Sequence, residues 1–165
     1  SAGAGEICKF VFFCVSVGFF EEIYFRGLIF PLLLVFFRGK KFAELKAVLF
    51  SGAIFGLIHL VNLFGGAGFG AVAVQMGYSA LNGLMYAALF LFTRSLVLPM
   101  LCHTLFDVGG LMIERLGAGE IWNVPTIVLT AIFSVVAAAW IIFRFARAFC
   151  RKRKPEASVL SESEE

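Results

Sequence analysis

The chain has 165 residues, 61% of them hydrophobic and only 15% charged, with a formal net charge of +3. Soluble domains carry roughly 45–50% apolar and 25% charged residues, so a mean hydropathy of +0.94 excludes an ordinary soluble domain. The basic residues sit at the ends of apolar runs and in the C-terminal tail, which excludes a nucleic-acid-binding face.

Apolar stretches of about 20 residues, separated by short polar breaks, predict an all-α integral membrane protein, a polytopic bundle of about five transmembrane helices. The first spans about 7–37. At 1.5 Å per residue that is about 46 Å, longer than the ~30 Å hydrocarbon core, so it must tilt, protrude or break. Pro31 is the expected break, because its ring clashes with the carbonyl of Gly27. After the basic loop Arg38-Gly39-Lys40-Lys41, the second helix spans about 42–63 and carries His59. Gly65-Gly66-Ala67-Gly68 reads as a flexible turn. The third helix, about 69–92, is interrupted by Gln75 and Asn82. The fourth, about 96–116, has Pro99 in its first turn and carries His103 and Asp107. A polar connection with Trp122 as interfacial anchor leads to the fifth, about 124–149. Residues 1–149 thus form one transmembrane core. Residues 150–165 form a polar tail, expected to be disordered, with Arg151-Lys152-Arg153-Lys154 near lipid headgroups. The chain begins at Ser1, so upstream helices are expected.

The loops at 38–41 and 93–95 and the tail, which share one side of a five-helix path, hold eight of the 14 basic residues, whereas the opposite side has only Lys9 and Arg115. The positive-inside rule makes that side, and the tail, cytoplasmic; the expected location is a bacterial plasma membrane. Cys8, Cys14, Cys102 and Cys150 are scattered without a CxxC pair, so no disulfide framework or zinc site is indicated.

Few strongly polar side chains remain at depth: Glu21, Glu22, Arg26, His59, Gln75, Asn82, His103 and Asp107. A charge at mid-membrane costs roughly 2.5–3.5 kcal/mol on insertion scales, so these residues need partners or a task. Glu22 and Arg26 are i and i+4 and can form an ion pair, while Glu21 points about 100° away. Phe55 and His59 share a helix face, as do His103 and Asp107. Counted at about 1.5 Å per residue from the cytoplasmic ends, Glu21 lies ~23 Å deep, His59 ~25 Å, Asp107 ~17 Å and His103 ~11 Å. One pocket lined by the first, second and fourth helices is geometrically reasonable. A carboxylate beside a neutral histidine can strip a proton from water, and a second polar pair can stabilise the resulting oxyanion. Ser51 and Cys102 are set aside as nucleophiles. Each residue has a plainer reading. Glu22–Arg26 can be a structural pair, His59 an interhelical hydrogen bonder, His103–Asp107 a self-contained pair, and Gln75 and Asn82 packing contacts.

Glu21-Glu22-x-x-x-Arg26-Gly27, Phe55-x-x-x-His59 and His103-x-x-x-Asp107 stand in order on separate predicted helices. In these motifs the chain resembles the CPBP intramembrane protease family, also called the CAAX protease and bacteriocin-processing, or Abi, family. The resemblance covers about 10–110. It implies an intramembrane endopeptidase that cleaves a membrane-associated substrate, prenylated or leader-bearing. It implies that Glu21 and His59 activate water, that Glu22 and Arg26 support the site, and that His103 and Asp107 serve the oxyanion. An asparagine is usual at the last position in the eukaryotic branch. An ionised aspartate cannot donate a hydrogen bond, so Asp107 must be protonated, orient His103 or accept a proton. Glu, His, His and Asp form an acceptable zinc set, yet there is no HExxH, and the family is read as glutamate-dependent. No metal or other cofactor is therefore expected. The expected partners are membrane lipid and a peptide or protein substrate, with no nucleic acid; the oligomeric state stays open. The rival readings are a non-enzymatic immunity or scaffold protein of the same family, and a proton-relay or transporter fragment. One tension remains: the depth count puts Glu21 and His59 nearer the non-cytoplasmic side, whereas a prenylated substrate approaches from the cytoplasm.

Overall fold

The first apolar run is helical from Ala4 to Phe36 in the computed structural model, which describes residues 2–117, 128, 130 and 132–147. Helix α1 (Ala4–Glu22) passes through a π-helical stretch, Ile23–Ile29, into α2 (Phe30–Phe36). Pro31 stands at the start of α2. It has no N–H to donate, and in a regular α-turn its ring would meet the Gly27 carbonyl. The wider turn ahead of it changes the bonding register, so that Phe30 donates to the Phe25 carbonyl, five residues back. The expected break at Pro31 is thus taken up before the proline, and the rod continues through it.

Phe42, in the left-handed region with φ 59°, leads into α3 (Ala43–Leu57), which tightens into a 3-10 turn over Ile58–Leu63. His59 therefore lies on this tighter turn and not on the regular α-helix expected over 42–63. Helix α4 (Phe69–Thr93) stops at Arg94, again left-handed with φ 57°. Helix α5 (Val97–Leu116) follows, and residues 132–147 are helical as well (α6). The described residues contain helices and no strand. The polar connection with Trp122 and the tail 150–165 lie outside the described residues.

Ala43–Leu63 and Phe69–Thr93 are each long and apolar enough to cross a bilayer. Large apolar side chains cover the outside: Phe12, Phe20, Phe64, Phe69 and Leu105 are 70% exposed or more. In water this surface would be an aggregation liability, whereas in lipid it is the solvated face. The chain is an integral membrane protein.

Two seams set the rotation of the helices. A Cβ on Gly56 of α3 would sit 2.7 Å from the Met76 carbonyl oxygen of α4, and one on Gly83 would sit 3.0 Å from the Gly52 Cα. A Cβ on Gly18 of α1 would sit 3.1 Å from the Thr104 backbone nitrogen of α5. Without a hydrophobic driving force between helices in lipid, small residues that let backbones touch decide how helices associate. At the end of the bundle near Lys40, a buried cluster closes the interior, with Phe30, Phe37, Val48, Ala88 and Leu91 packed against Trp140 of α6.

Candidate active site

The π-helical stretch begins immediately after Glu22 and contains Arg26. Both side chains are fully buried, and Arg26 Nη1 donates to Glu22 Oε1 across 2.8 Å. Arg26 Nη2 donates to the Gly83 carbonyl across 2.9 Å, which only the close approach of α4 permits. The guanidinium also lies over the Phe55 ring, 4.6 Å from its centroid, and 5.3 Å from that of Tyr86. A buried cation is tolerated only when its charge and its donors are met, and here carboxylate, carbonyl and ring faces share that task.

Glu22 has a second partner. Nδ1 of His103 lies 3.0 Å from the same Oε1. A carboxylate paired to arginine can only accept, so Nδ1 carries the hydrogen. That bond sets the tautomer and turns Nε2 towards two other carboxylates, Asp107 Oδ2 at 3.6 Å and Glu21 Oε2 at 3.8 Å. The Tyr86 ring stacks on the imidazole at 5.3 Å with 22° between the planes. His103 thus joins the first and third motifs, whereas its spacing alone left it paired within its own helix.

His59 is held in a parallel way. Its Nδ1 donates to the Phe55 carbonyl across 2.9 Å, which leaves Nε2 as the acceptor nitrogen, 3.4 Å from Ser79 Oγ. The Phe55 ring meets both histidines edge-on, with centroids 5.5 Å from His59 and 5.7 Å from His103.

Glu21, His59, His103 and Asp107 all line one cavity of about 480 Å³. Glu22 and Arg26 are not on its wall; they stand behind His103. Glu21 is the more open of the two glutamates, its side chain 35% exposed against 0% for Glu22. Ser51 and Cys102 are not among the lining residues. Among the described residues, no group of three His, Cys, Asp or Glu side chains is placed to hold a metal ion.

The sequence reading missed the wall supplied by α4. Gln75, Ser79, Asn82 and Tyr86 all line the cavity. Gln75 accepts from Asn62 Nδ2 across 2.8 Å, so it does make a packing contact, but one on the cavity wall. The legible signal was the spacing: these four recur at i, i+4, i+7 and i+11, a polar stripe on one face of an otherwise apolar helix.

The cavity is elongated. On α1 it is lined by Phe13, Val17 and Glu21, one turn apart, and on α5 it continues from His103 and Asp107 to Glu114 and Arg115. It therefore reaches the end of the bundle opposite the Arg38–Lys41 loop. Glu21 lies at the end of α1, before the π-helical stretch Ile23–Ile29 and α2 that lead to that loop.

A family model described as type II CAAX prenyl endopeptidase Rce1-like matches residues 3–109. No curated protein and no solved structure matches the chain.

Proposed function

We infer the activity from one premise: the chain belongs to the Rce1-like type II CAAX prenyl endopeptidase family. Family membership and an integral membrane body make it an intramembrane endopeptidase acting on a peptide or protein substrate. We propose that Glu21 and His59 are its water-activating pair and that His103 and Asp107 face the oxyanion. One observation carries the assignment: these four residues, from three helical runs, share the wall of one cavity.

In this reading a water between Glu21 and Nε2 of His59 loses its proton to the carboxylate and attacks the scissile carbonyl. His103 serves the developing oxyanion as an imidazolium, with Nδ1–H on Glu22 and Nε2–H turned towards the oxyanion, and the Asp107 carboxyl 3.6 Å from Nε2 stands beside that second N–H. In this reading Asp107 acts through His103 and need not donate itself. Glu22 and Arg26 are positioning residues that fix the orientation of the His103 ring through Nδ1. All five helical runs cross the bilayer, with the Arg38–Lys41 loop on the cytoplasmic side. The substrate is a membrane-associated protein of the CAAX class, or one with a comparable tail.

The test is reconstitution of the full chain in liposomes with lipidated peptides ending in a CAAX sequence. Cleavage by the native protein and its loss in Glu21→Gln is the expected result. Equal cleavage by Glu21→Gln would overturn the assignment.

A further inference from the structure

We propose that Asn82 of α4 is a catalytic residue, the amide donor that joins His103 in holding the oxyanion. The proposal rests on the endopeptidase reading above and adds to it a residue from outside the three motifs.

The starting point is an unmet buried amide. Asn82 is 3% exposed and lines the cavity, and its Oδ1 is buried with no hydrogen-bond partner among the described residues. A buried polar group left unmet costs about 1–3 kcal/mol and calls for a reason. A packing amide is bonded to its neighbour, as Gln75 is to Asn62 across 2.8 Å. With the acceptor end of the Asn82 amide buried, Nδ2 is the end left for the cavity.

The place of Asn82 on its helix says what that end meets. At about 100° per residue, Ser79, Asn82 and Tyr86 fall within about 60° of one another. Ser79 Oγ lies 3.4 Å from Nε2 of His59, and the Tyr86 ring stacks on His103 at 5.3 Å. Asn82 stands between these two contacts, about 4.5 Å along the axis from Ser79 and about 6 Å from Tyr86. It therefore faces the gap between the histidine that serves the water and the histidine that serves the oxyanion. Attack needs the water oxygen about 3–3.5 Å from the carbonyl carbon, so the scissile C=O lies in that gap. As the water oxygen bonds to carbon, the carbonyl π pair moves onto the carbonyl oxygen. Nε2–H of His103 meets that charge on one side, and an ionised Asp107 cannot meet it on the other. Nδ2–H of Asn82 is the second donor. Its backbone is held firmly. The carbonyl of the next residue, Gly83, accepts from Arg26 Nη2 across 2.9 Å, and a Cβ on Gly83 would sit 2.9 Å from the Cβ of Phe55, whose ring touches both histidines. A donor fixed in advance needs no reorganisation when the charge develops.

Two variants remove the donor in different ways. Asn82→Leu keeps comparable bulk with no polar atom, and Asn82→Asp keeps the shape but, ionised, only accepts. In the reconstituted full chain, with the melting temperature matched to native, each should lower kcat by about 10²–10³ and leave KM within about threefold, because the donor acts on the transition state. Unchanged kcat in either folded variant, or a loss confined to KM, overturns the proposal. So does a drop of that size in Tyr86→Phe with none in the Asn82 variants, since the Tyr86 hydroxyl is also buried and unpartnered among the described residues. A binding measurement needs no turnover. It compares the test peptide with its phosphinate isostere, whose tetrahedral P–O⁻ stands in for the oxyanion, on Glu21→Gln and on Glu21→Gln combined with Asn82→Leu. The first should prefer the phosphinate, and the second should lose about 10²–10³ of that preference. No preference, or one that survives Asn82→Leu, overturns the donor and leaves the endopeptidase reading standing where the native protein cleaves. Absence of cleavage by the native protein, with a phosphinate preference that depends on Asn82, counts against the endopeptidase reading alone.

Discussion

His103 Nδ1 and Glu22 Oε1 stand 3.0 Å apart, and Glu22 is the same carboxylate that takes Arg26 Nη1 at 2.8 Å. One buried oxygen therefore ties α1 to α5, and through the Arg26–Gly83 bond also to α4. Removing either end of the ion pair leaves a buried charge unmet, which costs about 3–5 kcal/mol. Glu22→Ala and Arg26→Ala should each lower the melting temperature in detergent sharply. The combined Glu22→Gln, Arg26→Met variant should be less damaged than the sum of its singles, because both charges leave together. Additive losses would show that the pair is not coupled.

Glu21 behaves differently in the same assay. It is partly open on the cavity wall and pairs weakly, at 3.8 Å from His103. Glu21→Gln should leave the melting temperature within a degree or two and reduce turnover by about 10²–10⁴, the usual worth of a positioned acid–base group. A large drop in stability with modest loss of turnover would reassign it to the scaffold.

The seam between α3 and α4 admits no side chain at Gly56. Gly56→Leu should push the helices apart, at a cost of at least ~1–3 kcal/mol. It should also part His59 from Ser79, now 3.4 Å away. The check is the yield of monodisperse protein, together with turnover at a temperature where the variant is still folded.

Sidedness can be read from Cys8, which is exposed near the N-terminal end of α1, whereas Cys14 is buried. In a variant retaining only this cysteine, a membrane-impermeant maleimide should label intact cells, as the positive-inside rule requires of the end opposite Arg38–Lys41. Labelling only after permeabilisation would reverse the orientation and turn that end to the cytoplasm.

Chelation offers an independent check on the mechanism. Treatment with EDTA or phenanthroline, followed by buffer exchange, should leave turnover unchanged. Loss of activity that zinc restores would bring a metal into the site.

The sequence by itself determined what depends on neighbours along the chain. Apolar runs of membrane-spanning length marked where the helices lie. The i, i+4 spacing brought Arg26 onto the face of Glu22, and the 2.8 Å bond follows from that local geometry. The same spacing put Asp107 beside His103 and His59 beside Phe55. Rotation about each helix axis is not written in such spacings. Close contacts decide it: Gly18 against Thr104, and Gly52 and Gly56 against α4. Those contacts turn His103 towards Glu22, carry the Gly83 carbonyl to Arg26 and bring the stripe from Gln75 to Tyr86 onto the cavity wall. They also put Arg115 on that wall, 94 residues along the chain from Glu21 (115 − 21). In a bilayer the outward faces are all apolar and select no rotation, so only the backbone-close seams and the buried charges between them could decide it.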